Sequence, residues 1–134
     1  MGTFRTFEDI EAWQLARRLT KEVYLASGRG AFGREFSLRD QIRKSAVSVM
    51  SNVSEGFERD GRREFLQFLS IGKGSVGELR SQLYVALDAG LIVTAEFEAL
   101  NLLAQRTASA IAGLMRHLRS TPVPGPKFRD STSG

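Results

Sequence analysis

A glycine-rich segment at residues 72–77, Gly-Lys-Gly-Ser-Val-Gly, has the spacing of the G-x-G-x-x-G dinucleotide fingerprint, and its Lys73 raises the alternative of a phosphate loop. The fingerprint requires a strand before the first glycine. Instead, Phe65 and Leu69 before the segment and Leu79 after it continue one helical period. A phosphate loop requires a glycine five positions before the Gly-Lys pair, and none stands there. We therefore predict that the segment lies inside a helix and that the protein has no small-molecule cofactor.

Acid–base or metal chemistry would depend on His117 and on the carboxylates Glu55, Glu64 and Glu78. The chain has no Cys and one His, which removes thiolate nucleophiles, thiolate metal sites and any site built from two imidazoles. Di-iron bundles use Glu-x-x-His pairs, which this chain lacks, and no local carboxylate orients His117 as a base. The sequence predicts no catalytic residue and no metal site, so we do not expect an enzyme.

The positive charge points to a different chemistry, the binding of phosphates. Lys and Arg number 19 against 15 Asp and Glu, the net charge is +4, and 15 of the 19 cations are Arg, whose planar fork binds phosphate at two points. Cations exceed acids in residues 1–44 and 106–134, while acids exceed cations in between. The candidate nucleic-acid contacts are Arg17, Arg18, Lys21, Arg39, Arg43, Lys44, Arg62, Arg63, Arg116 and Arg119.

An alternative is that part of this charge only solvates helix surfaces. Three acids precede a base by four residues, the favoured order for pairing along a helix: Glu35 and Arg39, Asp40 and Lys44, and Glu55 and Arg59. Composition does not separate paired surface charges from phosphate contacts.

Four helices that form one domain would position these residues. A chain of 134 residues supports a single core, and its apolar residues follow a helical period almost throughout. The predicted first helix is capped by Thr6 and ends at Ser27, a loop covers 28–36, the second helix is capped by Ser37 and ends near Asp60, the third spans 62–89, and the fourth is capped by Thr94 and extends to about Leu118. Short connections favour an antiparallel up-down-up-down four-helix bundle over residues 1–120. Residues 121–134 contain all three prolines and are predicted to be a flexible tail.

Small residues form a second stripe on the third predicted helix, separate from its leucine face: Ser70, Gly74, Gly77 and Ser81. Each Gly in a helix interior costs roughly 0.8 to 1 kcal/mol relative to Ala, so close helix contact must compensate. That contact is either inside the bundle or between subunits, and we expect at least part of this stripe to lie between subunits.

Several separate motifs identify a resemblance to a known family. They are QIRKSAVSV at 41–49, SNVSEGF at 51–57, Glu64-Phe65, Phe68-Leu69, Gly74-Ser75 and Glu78-Leu79. In this order they resemble the four-helix-bundle family named after proteins encoded in 23S rRNA intervening sequences, over roughly residues 4–118. Residues that match the family pattern are Arg43, Asn52, Glu55, Gly56, Glu64, Gly74, Ser75, Glu78 and Gln82. Met50 replaces a common Pro and Gly61 replaces a common Ser, which weakens a kink and a helix cap without threatening the fold.

The resemblance implies a bundle that assembles as a ring-like homo-oligomer, typically a homopentamer, with no known catalytic activity. It also implies kinship with accessory proteins of diversity-generating retroelements, which are basic barrels associated with nucleic acid and a reverse transcriptase. We therefore predict a non-enzymatic oligomeric bundle that binds RNA or DNA through a basic surface. The alternative is a protein–protein scaffold or an accessory subunit of a partner enzyme such as a reverse transcriptase.

The expected location is cytoplasmic. No apolar run approaches the roughly 18 to 20 residues of a membrane span, and the first residues lack the apolar core of a signal peptide. No membrane partner is expected.

Overall fold

The computed structural model describes residues 4–120, which contain five α-helices and no strand. After a 3₁₀ turn at Phe7–Asp9, the helices are α1 (Glu11–Ser27), α2 (Gly30–Arg34), α3 (Phe36–Glu58), α4 (Arg62–Asp88) and α5 (Thr94–Ser120). The predicted all-helical class is confirmed. The predicted tail at 121–134 lies outside the described residues.

One hydrophobic core lies between the four long helices. Helix α3 packs against α1 and α4, and α5 packs against the same two helices, so α1 and α4 lie on opposite sides of the core. The apolar stripes predicted for each helix supply that core, with Leu19, Val49, Leu79 and Ile111 fully buried. Burial of one such side chain contributes about 1.5 to 3 kcal/mol, so the packed stripes hold the helices together.

The chain enters α1 differently from the prediction. Thr6 does precede a capped turn, and its N–H donates to Asp9 Oδ2 at 3.1 Å. However, this turn is the 3₁₀ turn, and Ile10 then adopts an extended conformation with ψ 123° before α1 begins at Glu11. Ile10 is buried, so the break in the helix turns an apolar side chain into the core.

Two further predicted caps are wrong by one residue. Helix α3 begins at Phe36, and the carbonyl of Glu35 accepts its first hydrogen bond, from Arg39 N–H at 2.9 Å, so Ser37 lies within the first turn. Likewise Thr94 is the first residue of α5, because the Val93 carbonyl accepts from Phe97 N–H at 2.9 Å. In both cases a backbone carbonyl begins the helix where a hydroxyl cap was predicted.

The predicted loop at 28–36 contains helix α2, which was missed. Five residues with two glycines show no helical period, and a helix this short is not stable alone. Tertiary packing forms it: the Phe32 ring is only 1% exposed and joins the core, where α2 packs against α1 and α3. This turn therefore anchors the connection between α1 and α3.

Helices α3 and α4 approach each other closely at two glycines. A Cβ added to Gly56 would lie 2.8 Å from Phe68 Cβ and 3.0 Å from Phe65 Cδ1, and one added to Gly72 would lie 3.4 Å from Asn52 Cβ. These glycines account for contact inside the molecule. The glycines of the small-residue stripe, Gly74 and Gly77, lie elsewhere on α4.

Candidate functional site

Three of the predicted cations lie on the side where α1 packs against α3. Tyr24 and Lys44 line the same shallow groove between these helices. Arg17 and Lys21 precede Tyr24 by seven and three residues and so share its face of α1. Arg17, Lys21 and Lys44 are exposed, and none of them forms an ion pair within residues 4–120. We call these three residues the α1/α3 basic face.

Arg43 lies beside this face but is used inside the molecule. Its guanidinium donates to Ser27 Oγ at 2.8 Å and to the Tyr24 carbonyl at 3.3 Å, and it lies 4.4 Å from the centre of the Tyr24 ring. The last carbonyls of a helix lack partners within the helix, so Arg43 satisfies the end of α1 and ties it to α3. Its role in this geometry is to hold two helices together.

Arg39 is also engaged with its own chain. Its guanidinium donates to Asp40 Oδ1 and to the Gly33 carbonyl, both at 3.1 Å, and lies 4.7 Å from the Phe36 ring centre. The Gly33 carbonyl of α2 draws Arg39 away from Glu35, so the i,i+4 pair expected there does not form. Of the three expected pairs, Glu55 and Arg59 form one, at 3.0 Å.

The other end of the molecule brings together four more predicted cations. Arg62 at the start of α4 donates to the Leu118 carbonyl at the end of α5, at 3.3 Å. This contact places Arg62 and Arg63 beside the last turn of α5, which carries Arg116 and Arg119. Arg63, Arg116 and Arg119 are exposed and form no ion pair among the described residues. We call these three residues the end cluster.

Arg18 faces a different surface, a groove of about 420 Å³ between α1 and α5. The groove includes Arg18 and Glu22 from α1 and Leu102, Leu103 and Arg106 from α5, and a salt bridge of 2.7 Å between Arg29 and Glu96 closes one end. Arg18 and Arg106 form no ion pair within the described part of the chain. We call this surface the α1/α5 groove. Sequence reasoning missed it, although Leu102 is apolar and out of phase with the buried stripe of its helix.

The small-residue stripe faces outward along α4. Ser70, Gly74, Gly77 and Ser81 are exposed, and a Cβ added to Gly74 or Gly77 would meet no atom within 4 Å. We call these four residues the α4 ridge. Ile71, Tyr84 and Val85 beside it are about half exposed. Within one chain, nothing compensates for the two ridge glycines.

The residues considered for catalysis and cofactor binding form no site. Residues 72–77 lie within α4, as predicted, so they make no phosphate-binding turn. Among the described residues, no group of three or more His, Asp or Glu is placed to bind a metal ion. Within residues 4–120, every helix is too short or too polar to cross a bilayer.

These features define a class: a small all-helical protein whose exposed surfaces, rather than an enclosed pocket, are available for binding. A family model described as 23S rRNA-intervening sequence protein matches residues 8–113. The chain belongs to this family.

Comparison with solved structures supports the fold. The chain is similar to a protein of unknown function from the S23 ribosomal protein family of Bacteroides thetaiotaomicron, with a TM-score of 0.72 and 17% identity. The match covers 78% of this chain and 98% of the other. Comparison with curated proteins gave no significant match.

Proposed function

We propose that this chain is a non-enzymatic, antiparallel up-down-up-down four-helix bundle that assembles into a ring-like homo-oligomer and binds RNA or DNA through the α1/α3 basic face. The observation that carries the nucleic-acid proposal is that Arg17, Lys21 and Lys44 are exposed on one side without an ion pair within residues 4–120. Unpaired cations on one face are available to phosphates, whereas Arg39 and Arg43 are held by their own chain.

Assembly would multiply this weak local charge. A net charge of +4 per chain becomes about +20 in a pentamer, and the basic face is repeated around the ring. Phosphate contacts release counterions, so the affinity is expected to fall steeply with salt, by about 0.9 in log–log slope for each phosphate neutralised on duplex DNA. The ring therefore provides the charge density that one chain lacks.

The α4 ridge and the family resemblance support the assembly. Homo-oligomers with closed symmetry are common, and a ridge without side chains allows a second backbone to come close. We expect light scattering of the purified protein to give about 74 kDa, five times the chain mass of 14.8 kDa. A mass equal to one chain at all concentrations would contradict the ring.

Reversal of the charges of the α1/α3 basic face tests nucleic-acid binding. In the triple variant Arg17→Glu, Lys21→Glu and Lys44→Glu, we expect the affinity for labelled structured RNA or duplex DNA to fall at least about tenfold. The salt slope should also become shallower by about 2 to 3, because up to three phosphate contacts per chain are lost. Fluorescence anisotropy at low and physiological salt measures both quantities.

The matched control reverses the end cluster: Arg63→Glu, Arg116→Glu and Arg119→Glu. Both variants change the net charge equally, and all six positions are exposed. If only the first variant loses binding, the contacts lie on the α1/α3 basic face. Unchanged binding by the first variant would show that this face is not the site, and equal losses would show that only total charge matters.

A protein–protein scaffold, or an accessory subunit of an enzyme such as a reverse transcriptase, is the second candidate. It is favoured by apolar side chains exposed away from the α4 ridge, among them Leu25 on α1 and Phe36 at the start of α3. A single stoichiometric protein partner that remains bound after nuclease treatment would favour this function. Failure to bind any nucleic acid at low salt would exclude the first.

A further inference from the structure

We infer that the ring forms head to tail, with the α4 ridge of one copy seated in the α1/α5 groove of the next copy. The inference rests on the proposed assembly and names the two surfaces that meet in it. Its occupant is a second copy of this chain.

The shape of the α4 ridge fits a groove. Its centre, Gly74 and Gly77, has open space where side chains would stand, so the helix backbone itself is the contact surface. Ile71 and Tyr84 flank it, each about half exposed, and would lose this exposure on docking. A narrow ridge with apolar flanks packs best between two helices, where side chains from both can surround it.

Hydrogen-bond acceptors without partners lie along the same side of α4. Glu78 and Asp88 are exposed and form no ion pair among the described residues. Gln82, next to Ser81 of the ridge, is only 9% exposed, and its Oε1 is buried without a hydrogen-bond partner within residues 4–120. A buried acceptor without a partner costs about 1 to 3 kcal/mol, so a donor from outside the chain would be stabilising.

The α1/α5 groove supplies the complementary groups. Arg18 and Arg106 are donors without an ion pair in the described part of the chain, and they line the groove from opposite helices. Between them, Leu102 is 51% exposed and offers an apolar contact for Ile71 or Tyr84 of the neighbour. Acids and an unsatisfied acceptor on the ridge side thus face guanidinium groups and a leucine on the groove side.

The positions of the two surfaces determine the kind of assembly. The α4 ridge lies across the core from α1, so each copy carries the ridge and the groove on different sides. An interface between two different patches leaves one of each free in a dimer, and the free patches bind further copies until the ring closes. A ridge that paired with another ridge would stop at two copies.

Complementation between two defective variants tests this arrangement. Gly74→Trp fills the ridge, and Leu102→Glu places a charge in the groove; both positions are exposed, so neither change disturbs the core. We expect each variant alone to sediment as a monomer. An equimolar mixture should form a dimer of about 30 kDa that does not grow, because it contains one intact ridge and one intact groove.

Ser51→Trp, at an exposed position of α3, is the matched control for a bulky surface residue and should keep the ring. Circular dichroism checks that each variant is folded, and a second pair, Ser81→Trp with Arg106→Glu, replaces any variant that is not. A wild-type ring together with a monomeric mixture, or variants that still form rings, would overturn the inference. A monomeric wild type would instead contradict the proposed assembly itself.

Discussion

Replacement of Phe32 by Ala is expected to lower the free energy of unfolding by about 3 to 5 kcal/mol, the usual cost of removing a buried aromatic ring. Phe32 is 1% exposed, and it is the only buried residue of α2. Its loss leaves a cavity next to α1 and α3 and removes the anchor of the turn that joins them. Urea denaturation at a fixed protein concentration, followed by circular dichroism, measures the change.

Phe36→Ala is the matched control, because Phe36 is the same residue type four positions later and is 61% exposed. Its ring contacts the Arg39 guanidinium, and an exposed contact of this kind is worth about 0.5 to 1 kcal/mol. We expect a loss of no more than that. Equal losses in the two variants would contradict the anchoring role of Phe32.

Gly56→Val is expected to destabilise the fold by about 1 to 3 kcal/mol, the usual cost of overpacking a core. An added Cβ alone would lie 2.8 Å from Phe68 Cβ, so α3 and α4 must separate to admit the valine. Both neighbours are buried against the backbone of α4 and have little freedom to move. Thermal and urea unfolding of the variant measure the loss.

Gly113→Val is the control for a glycine inside a helix. Its added Cβ would lie 3.6 Å from Arg116 Nη2, the far end of a flexible side chain. We expect a change of less than about 0.5 kcal/mol, since the position has room. A similar loss at Gly113 and Gly56 would show that helix propensity, rather than close packing of α3 on α4, causes the effect.

Long periodic segments made the fold accessible from the sequence. The third predicted helix, 62–89, matches α4 within one residue because its apolar positions keep one period over seven turns. Helix α2 could not be predicted in this way, since tertiary burial of Phe32 rather than local pattern forms it. The misplaced caps at Ser37 and Thr94 have a similar cause, because neighbouring backbone carbonyls took the role of the hydroxyls.

The candidate site was predictable only as a set of charged residues. Sequence identified Arg43 as a cation, but Ser27 and the Tyr24 carbonyl, 16 and 19 residues earlier, reach it only in the folded chain. Gly72 and Gly74 illustrate the same limit. Two residues apart on a helix, they point about 200° from each other, so one faces α3 and the other faces outward. Orientation, which composition does not contain, separates structural residues from those available for binding.

The tight contact of α3 on α4 also bears on how the chain folds during synthesis. Only residues 59–61 join these two helices, so the entropy lost in closing the connection is small. Contacts between segments close in sequence form quickly, and chains fold from the N-terminus as they leave the ribosome. The α3–α4 hairpin can therefore form while α5 is still being translated, and α5 then packs onto a surface that already exists.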